Sequence, residues 1–225
     1  MIVAIDGPAG AGKSTVARAV ARRLGVGHLD TGAMYRALTW LALERGVDPG
    51  AGDALAHLAH ANPAVLEPAA EGGGRVWIAA EDATEAIRRP EVTARVSEVS
   101  AHPGVREAMV AAQRALMTEG DWVCEGRDIG TAVCPTAAVK IFLTASPEER
   151  ARRRRAELAE QGVVLTDDEV LADVRRRDEL DSTRAASPLR VADGAVVIDS
   201  SALSADEVVE LIAGLAAGVR APGPR

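Results

Sequence analysis

Gly7-Pro8-Ala9-Gly10-Ala11-Gly12-Lys13-Ser14-Thr15 follows directly after an apolar stretch at residues 2–5. Glycines followed by Lys and Ser, with a strand before them and a helical pattern behind them, match a phosphate-binding loop. The glycines let backbone N–H groups turn toward an anion, and the N-terminus of the following helix adds positive charge. We therefore predict that this stretch binds the phosphates of a nucleoside triphosphate.

Two side chains of this loop carry specific predictions. Of the 26 basic residues, the lysines are Lys13 and Lys140, and all the others are arginines. A compact, flexible ammonium suits a transferred phosphoryl group, so we predict that Lys13 acts in catalysis. Ser14 is placed to ligate a Mg²⁺ ion. Lys140 is expected to be a solvated residue of a strand.

The composition indicates one domain. The chain has 225 residues, and 48% of them are hydrophobic, which suits one α/β domain with a small insertion. We find neither a signal-peptide pattern nor an apolar run near the ~18 residues of a membrane span, so we predict a cytoplasmic protein without membrane contact. A net charge of −7 argues against nucleic-acid binding. Cys124 and Cys134 lack disulfide or metal-site spacing and are expected to pack as small hydrophobic residues.

Short apolar segments with β-branched residues predict strands at residues 2–5, 122–124, 139–143 and 195–198. Helical patterns rich in Ala, Leu and Arg separate them. This alternation predicts an α/β fold of the P-loop NTPase type, in which helices flank a mostly parallel sheet. Ligands bind such sheets at the carboxyl ends of the strands, where the phosphate loop and residues 125–128 both fall.

Residues 48–90 depart from this pattern. Segments 64–67 and 75–79, joined through Glu71-Gly72-Gly73-Gly74, predict an antiparallel hairpin that does not belong to the parallel sheet. We interpret the region of about residues 48–100 as an inserted subdomain. Residues 221–225 are expected to form a frayed tail.

Three further groups of residues suggest a second anion site. Asp30-Thr31-Gly32-Ala33-Met34-Tyr35-Arg36 predicts a loop that enters a helix, with Thr31 as a possible N-cap and Arg36 one turn inside. Arg127 and Asp128 follow a predicted buried strand and should emerge at the ligand-binding edge. The third group, on a later helix, comprises Arg175, Arg176, Arg177, Asp181 and Arg184. Ordinary capping and surface salt bridges are the alternatives.

A run of arginines follows the helix-start signal Ser146-Pro147-Glu148-Glu149. Arg150, Arg153 and Arg154 share one helix face, and Arg152 and Arg155 lie beside them. Neighbouring like charges repel unless an anion lies among them, so we predict a phosphate clamp here. The clamp would close as a lid over about residues 146–165 and exclude water. A solvated helix face is the alternative.

A phosphate loop combined with many arginines suits phosphoryl transfer, because that reaction requires in-line positioning and positive charge rather than covalent help. Arg36, Arg127 and Arg184 would form a second anionic-ligand site, which points to an acceptor that itself carries phosphate. The oxygens of such an acceptor are nucleophilic at neutral pH. Asp128 would then bind or orient the acceptor rather than abstract a proton.

Taken together, these motifs resemble the bacterial cytidylate kinase family. The resemblance runs in order from residue 2 to about residue 212, through the phosphate loop, residues 30–36, Gly126-Arg127-Asp128-Ile129-Gly130-Thr131, residues 139–143 and residues 177–184. It implies transfer of the γ-phosphate of ATP to CMP or dCMP with Mg²⁺. It also implies a P-loop core, a nucleoside-monophosphate-binding subdomain within about residues 48–100, and a mobile lid over the arginine run.

The resemblance further implies residue roles. Ser97, Arg106 and Asp128 would read the cytosine edge, whose amino donor suits Asp128 and whose acceptors suit the other two side chains. The implied CMP-binding set is Thr31, Arg36, Ser97, Arg106, Arg127, Asp128, Arg177, Asp181 and Arg184, with the ribose on Arg177 and Asp181. The implied catalytic set is Lys13, Arg127, Asp128, Arg150 and Arg154. Many relatives carry Lys-Gly-Thr at positions 13–15 and Asp at position 125, so Ser14 and Glu125 keep a hydroxyl and a carboxylate.

Two alternatives stay open. A GTP-dependent switch would carry an Asn-Lys-x-Asp guanine reader, but the one asparagine in the chain is Asn62, followed by Pro63. A kinase for another nucleoside monophosphate or for a shikimate-like alcohol would keep the same class and change the acceptor pocket. In either kinase reading, we expect a monomer that binds small molecules.

Overall fold

The computed structural model describes residues 1–67, 74–160 and 162–220. The described strands, in chain order, are β1 (Ile2–Asp6), β2 (Gly27–Asp30), β3 (Val65–Glu67), β4 (Arg75–Ile78), β5 (Glu81–Asp82), β6 (Trp122–Gly126), β7 (Val139–Thr144) and β8 (Val196–Asp199). Five of them form the main sheet in the order β2-β6-β1-β7-β8, and every pairing in it is parallel.

Helices connect these strands and cover the sheet. They are α1 (Lys13–Leu24), α2 (Thr31–Glu44), α3 (Gly52–Ala61), α4 (Pro90–Val99), α5 (Pro103–Leu116), α6 (Pro147–Glu160), α7 (Asp167–Thr183) and α8 (Ala205–Arg220). A short 3₁₀ helix covers Ala86–Arg88, and a π-helical turn covers Ile129–Val133. Among the described residues, we find no helix with the length and apolarity to cross a membrane.

The alternation of β1 places the core on both faces of the sheet. Val3 and Ile5 pack into a cluster with residues of α1 and α8, whereas Ala4 packs into a second cluster with residues of α2, α3 and α5. All three side chains are fully buried. Successive side chains of a strand point to opposite faces, so a short apolar strand covered by helices on both sides is the expected centre of an α/β domain.

The predicted α/β sheet is confirmed, and each of the four predicted strands is present to within a residue or two. One strand of the main sheet, β2, was not predicted, and neither was β5 of the smaller sheet. The four residues of β2, Gly27-His28-Leu29-Asp30, contain one apolar side chain and no β-branched residue. β2 lies at the edge of the sheet and pairs with β6 alone among the described strands. Tertiary pairing therefore determines this strand, because its own composition does not favour one.

The predicted hairpin is also confirmed where the structure describes it. Val65–Glu67 pairs antiparallel with Arg75–Ile78, which pairs in turn with Glu81–Asp82 to form a separate three-stranded sheet. Val76 and Ile78 of this small sheet are buried in the same cluster as α2. Residues 71–73 of the connection and the predicted tail at 221–225 lie outside the described residues. The limits of the subdomain remain a prediction.

The two cysteines are free thiols. Cys124 in β6 is fully buried, which raises the pKa of its thiol well above the ordinary value, and Cys134 is half-buried. Cys124 therefore packs as a small hydrophobic residue, as predicted from its surroundings in the sequence.

Candidate functional site

The phosphate loop joins the end of β1 to the start of α1, and its glycines are required by geometry. A Cβ atom on Gly7 would lie 1.9 Å from the carbonyl oxygen of Leu143, and Gly12 adopts a left-handed conformation with φ 86° directly before α1. Lys13 is the first residue of α1, and its Nζ donates to the Pro8 carbonyl oxygen at 2.7 Å. The loop thus folds back over its own lysine.

Lys13 is held in an unusual electrostatic state. Its side chain is buried, and burial followed by the nearby charge of Arg127 lowers the pKa of the ammonium to about 7. The Glu125 carboxylate acts in the opposite direction. A buried cation with a cationic neighbour favours an anionic ligand, since such a ligand would stabilise the charged form.

A cavity of about 270 Å³ opens at the carboxyl end of the sheet, beside this loop. Within the described part of the chain, its lining includes every loop residue except Gly7, Pro8 and Ala11, and it includes all of the predicted CMP-binding residues. Of the predicted catalytic residues, Lys13, Arg127, Asp128 and Arg154 line it, whereas Arg150 does not. One cavity therefore brings together the phosphate loop and residues from five other segments of the chain.

A buried ion pair forms part of the cavity wall. Arg106 of α5 donates to the Asp128 carboxylate and, at 3.1 Å, to the Ser100 carbonyl oxygen. Its guanidinium lies 5.2 Å from the ring centre of Tyr35. Nε of Arg106 and Nη2 of Arg184 are buried donors that have no hydrogen-bond partner in the described residues. Because buried donors are costly when unpaired, this wall is suited to a polar planar ligand.

Arginines concentrate between this wall and the phosphate loop. Arg36 and Arg177 both donate to Thr93, at 2.8 Å to its hydroxyl and 3.1 Å to its carbonyl oxygen. Arg127 donates to Asp181 at 2.7 Å, and Arg184 lies 3.9 Å from the same carboxylate. Burial, followed by the charges of Arg177 and other arginines, lowers the pKa of Arg36 to about 10. Positive charge therefore exceeds negative charge here, which favours a bound phosphate.

Asp6 connects the end of β1, where the phosphate loop begins, to the segment that follows β6. It ends β1, and its two carboxylate oxygens accept from the backbone N–H groups of Ile129 (2.8 Å) and Gly130 (2.7 Å). These two residues begin the π-helical turn that directly follows Arg127 and Asp128. Burial raises the pKa of the Asp6 carboxyl to about 6, although both hydrogen bonds oppose this. The contact was not predicted, because an aspartate at the end of a strand carries no sequence signal for a partner more than a hundred residues away.

The prediction that Thr31 is an N-cap is wrong by one residue. Asp30 caps α2, since its Oδ1 accepts from the Ala33 N–H at 3.0 Å. Thr31 is the first residue of the helix, and its hydroxyl donates to the Glu125 carbonyl oxygen at 2.7 Å. The reason is that β2 runs to Asp30, so strand and helix join without an intervening loop.

The phosphate clamp is no longer required by charge repulsion, and it remains a prediction. Within the described residues, each arginine of the run at 150–155 has a carboxylate partner. The pairs are Arg150–Asp178, Arg152–Glu149, Arg153–Glu149, Arg154–Glu157 and Arg155–Asp167. These carboxylates relieve the repulsion without a ligand, and three of the five pairs are i, i+3 or i, i+4 pairs within α6.

α6 nevertheless packs against the phosphate loop. Arg150 donates to the Ala9 carbonyl oxygen at 3.2 Å, and Arg153 lies 3.4 Å from that of Ala11. Arg150 is buried and also binds Asp178 through both terminal nitrogens, at 2.9 and 2.6 Å. A catalytic role for Arg150 and the movement of a lid remain predictions.

Ser14 meets a carboxylate that could help to hold a cation. Its Oγ donates to Glu125 Oε2 at 2.7 Å, and Glu125 Oε1 lies 3.0 Å from His28 Nε2. Hydroxyl and carboxylate oxygens beside a phosphate loop are the donors that Mg²⁺ prefers, so these residues fit that ion. The sequence predicted Ser14 as the ligand, but it did not indicate the contact between Glu125 and His28.

Other residues of the lining were not predicted. Ser100, the C-cap of α4, follows Ser97 at the i, i+3 spacing that could have indicated it, and Val96 directly precedes Ser97. Tyr35, which lies in the predicted segment at 30–36 but was given no role there, also lines the cavity, as does Glu157.

The chain was compared with known proteins. The family model "Cytidylate kinase" matches residues 3–217. A "Cytidylate kinase" of Pelotomaculum thermopropionicum is 50% identical over 210 residues, which cover 93% of each chain. A "Bifunctional pantoate ligase/cytidylate kinase" of Synechococcus sp. (strain JA-3-3Ab) is 51% identical over 94% of this chain but 39% of the relative, so this chain spans well under half of such bifunctional proteins.

Among solved structures, an uncharacterized protein from Eubacterium ventriosum aligns with a TM-score of 0.52 at 11% identity, over 94% of this chain and 95% of that one. This likeness concerns the fold alone. The family match and the relatives near 50% identity confirm the resemblance that the motifs indicated. The chain therefore belongs to the cytidylate kinase family of nucleoside monophosphate phosphotransferases.

Proposed function

We propose that this protein transfers the γ-phosphate of ATP to CMP or dCMP and releases ADP with CDP or dCDP. The observation that carries the proposal is the single cavity, since it joins a phosphate loop to the buried Arg106–Asp128 pair through a surplus of arginines. Phosphoryl transfer between two nucleotides requires two anion sites placed in line and shielded together from water.

The donor binds at the phosphate loop. Backbone N–H groups of residues 7–15 and the N-terminus of α1 hold its phosphates, and Lys13 places its ammonium on the transferred group. Mg²⁺, held by Ser14 with Glu125 behind it, supplies positive charge to the donor phosphates when bound. These residues orient the donor and stabilise charge, and they form no covalent bond with it.

The acceptor phosphate binds among Arg36, Arg127 and Arg184, where positive charge is in excess. Arg177 and Asp181 bind the ribose hydroxyls, for which a carboxylate is an acceptor and a guanidinium a donor. A phosphate oxygen of the acceptor is the nucleophile, so no side chain has to remove a proton from it. Thr31, which also lines the cavity, belongs to the same acceptor site.

The base is read by Asp128, Arg106 and Ser97. Asp128 accepts from the cytosine amino group, and the donors on the other two side chains meet N3 and O2. Uracil exchanges the donor and the acceptor at this edge, so it would leave buried partners unpaired. The cost of roughly 1–3 kcal/mol for each unpaired group favours cytosine strongly.

α6 supports the donor side. Arg154 acts directly on the transferred charge, since it lines the cavity, whereas Arg150 acts by holding the Ala9 carbonyl of the phosphate loop. Closure of residues 146–165 over ATP, and of the subdomain at about 48–100 over CMP, would exclude water and so prevent hydrolysis. In this proposal the protein works as a cytoplasmic monomer that binds neither nucleic acid nor membranes.

A coupled ADP-release assay with ATP and Mg²⁺ tests the proposal, with CMP, dCMP, UMP, AMP, GMP and shikimate as acceptors. We expect turnover with CMP and dCMP, and kcat/KM values at least about a hundredfold lower with the others. Preference for another acceptor would keep the kinase class and contradict the roles given to Ser97, Arg106 and Asp128.

A further inference from the structure

Glu125 is fixed on three sides. It lies at the carboxyl end of β6 and its side chain is almost fully buried. One carboxylate oxygen accepts from Ser14, the other contacts His28, and the main-chain carbonyl accepts from Thr31. A buried carboxylate with every polar atom engaged has little freedom to turn.

A second carboxylate, that of Asp30, lies close enough to Glu125 to affect its orientation. Asp30 stands opposite Glu125 in the register of β2 and β6, and burial followed by the Glu125 charge raises the pKa of Asp30. Two adjacent carboxylates, one buried and one partly buried, repel each other. His28 and Arg36 both act against this repulsion at Asp30. Of these two, His28 is the one that also contacts Glu125.

The strand places His28 for this contact. His28 and Asp30 are two residues apart in β2, so their side chains leave the same face of the edge strand. Imidazole is a short, stiff side chain, and its Nε2–H donates to Glu125 Oε1 because that oxygen is an acceptor. The hydrogen bond from His28 therefore fixes Oε1 of Glu125 and keeps Oε2 directed toward the Ser14 hydroxyl.

The Ser14 hydroxyl donates its proton to Glu125, which leaves its lone pairs free to face a cation. We propose that His28 is a positioning residue for the nucleotide-bound Mg²⁺: it fixes the Glu125 carboxylate, which in turn fixes the Ser14 hydroxyl as a ligand. Such outer partners commonly tune metal affinity by about ten- to a hundredfold. The inference rests on the proposed function, because it takes a Mg–nucleotide as the donor.

Isothermal titration of ADP at a series of Mg²⁺ concentrations tests this without turnover. The variants are His28→Leu, which removes the donor, and His28→Gln, whose amide nitrogen can replace Nε2–H. His57→Leu on the exposed side of α3 is the matched control. We expect His28→Leu to raise the half-saturating Mg²⁺ concentration about tenfold. His28→Gln should bring this concentration most of the way back to the wild-type value, and the control should match the wild type.

Three results would overturn the inference. They are an unchanged Mg²⁺ dependence in His28→Leu, an equal shift in the Leu and Gln variants, or equal weakening of ADP binding with and without Mg²⁺. Thermal melts verify folding, and His28→Phe repeats the test if the leucine variant does not fold. If the wild type binds Mg–ADP but does not phosphorylate CMP, the proposed function fails while the role of His28 can still be judged.

Discussion

Two groups of arginines lie beside the phosphate loop and differ in how their charge is balanced. Each arginine of the run at 150–155 has a carboxylate partner, and Arg152, for example, pairs with Glu149 and is mostly exposed. In the cavity, Arg127 and Arg184 share Asp181, and Arg36 donates to the neutral Thr93 hydroxyl. The denser cluster in the sequence is thus the more neutral one in the fold.

The difference shows which arginines can bind a ligand. An exposed guanidinium already paired with a carboxylate, such as that of Arg152, gains little from a new anion, since solvent screens its charge and the old partner must be displaced. A less exposed guanidinium with cationic neighbours gains more. Burial first, and neighbouring arginines after it, lower the pKa values of Arg36 and Arg177. Charge balance in the cavity is therefore a better guide to a binding site than charge density along the chain.

The largest effect should come from Lys13, the cation whose surplus charge faces the donor. We expect Lys13→Ala to lower kcat by roughly a thousandfold or more, because it removes charge from the transferred phosphoryl group. Lys140→Ala is the control, since Lys140 on β7 donates to the Asp193 carbonyl, away from the cavity. Near-normal steady-state turnover of Lys13→Ala would contradict the assignment of the donor site.

Two single substitutions, one in each group of arginines, then test the difference in ligand binding between the groups. We expect Arg127→Ala to reduce kcat/KM for CMP by about a hundred- to a thousandfold, because Arg127 would stabilise charge on the acceptor phosphate. Arg152→Ala should stay within about twofold of the wild type, because it removes an exposed ion pair. Similar losses in the two variants would show that the arginine run binds ligand as well.

Base choice gives a smaller effect. Arg106→Ala should lower the ratio of kcat/KM for CMP to that for UMP by about ten- to a hundredfold, since one buried donor that favours cytosine is lost. The measurement is the ADP-release assay with each nucleotide. An unchanged ratio would remove Arg106 from the base-reading wall.

The stability of the protein, rather than its activity, should depend on Asp6, the buried acid beside the cavity cations. Its folded pKa of about 6 lies above the ordinary value of 3.8, so the folded state binds the proton more tightly, and stability is lost as pH rises from about 4 through 6. The loss should approach about 3 kcal/mol relative to a group that does not titrate. Urea unfolding of the wild type and Asp6→Asn at pH 4.5 and pH 7.5 measures it. Equal changes in the two proteins would contradict the raised pKa.

Much of the site was predictable because it lies in local patterns. The phosphate loop is a continuous segment, so its glycines and Lys13 are close in the sequence as well as in the fold. Arg127 and Asp128 were placed correctly, since residues that follow a buried strand reach the ligand-binding edge of a parallel sheet. The roles of Ser97 and Arg106 came from family resemblance, and the structure places both in the cavity lining.

Contacts across the sheet were not predictable in the same way. Strand β2 has a composition that does not favour a strand, and its pairing with β6 displaced the cap of α2 from Thr31 to Asp30. Because that pairing also sets Asp30 opposite Glu125, the carboxylate environment near Ser14 became visible only in the fold.

The α/β class, the phosphate-loop segment and the family could be predicted from the amino-acid sequence, because these depend on short segments and on their order. The tertiary structure decided which charges are neutralised, since ion pairs form between helices and strands that are distant in the chain. The Arg150–Asp178 pair between α6 and α7, the Asp6 contact with Ile129 and Gly130, and the His28–Glu125–Ser14 chain are all of this kind. Electrostatic energy depends on distance in space and on burial, and a linear pattern records neither.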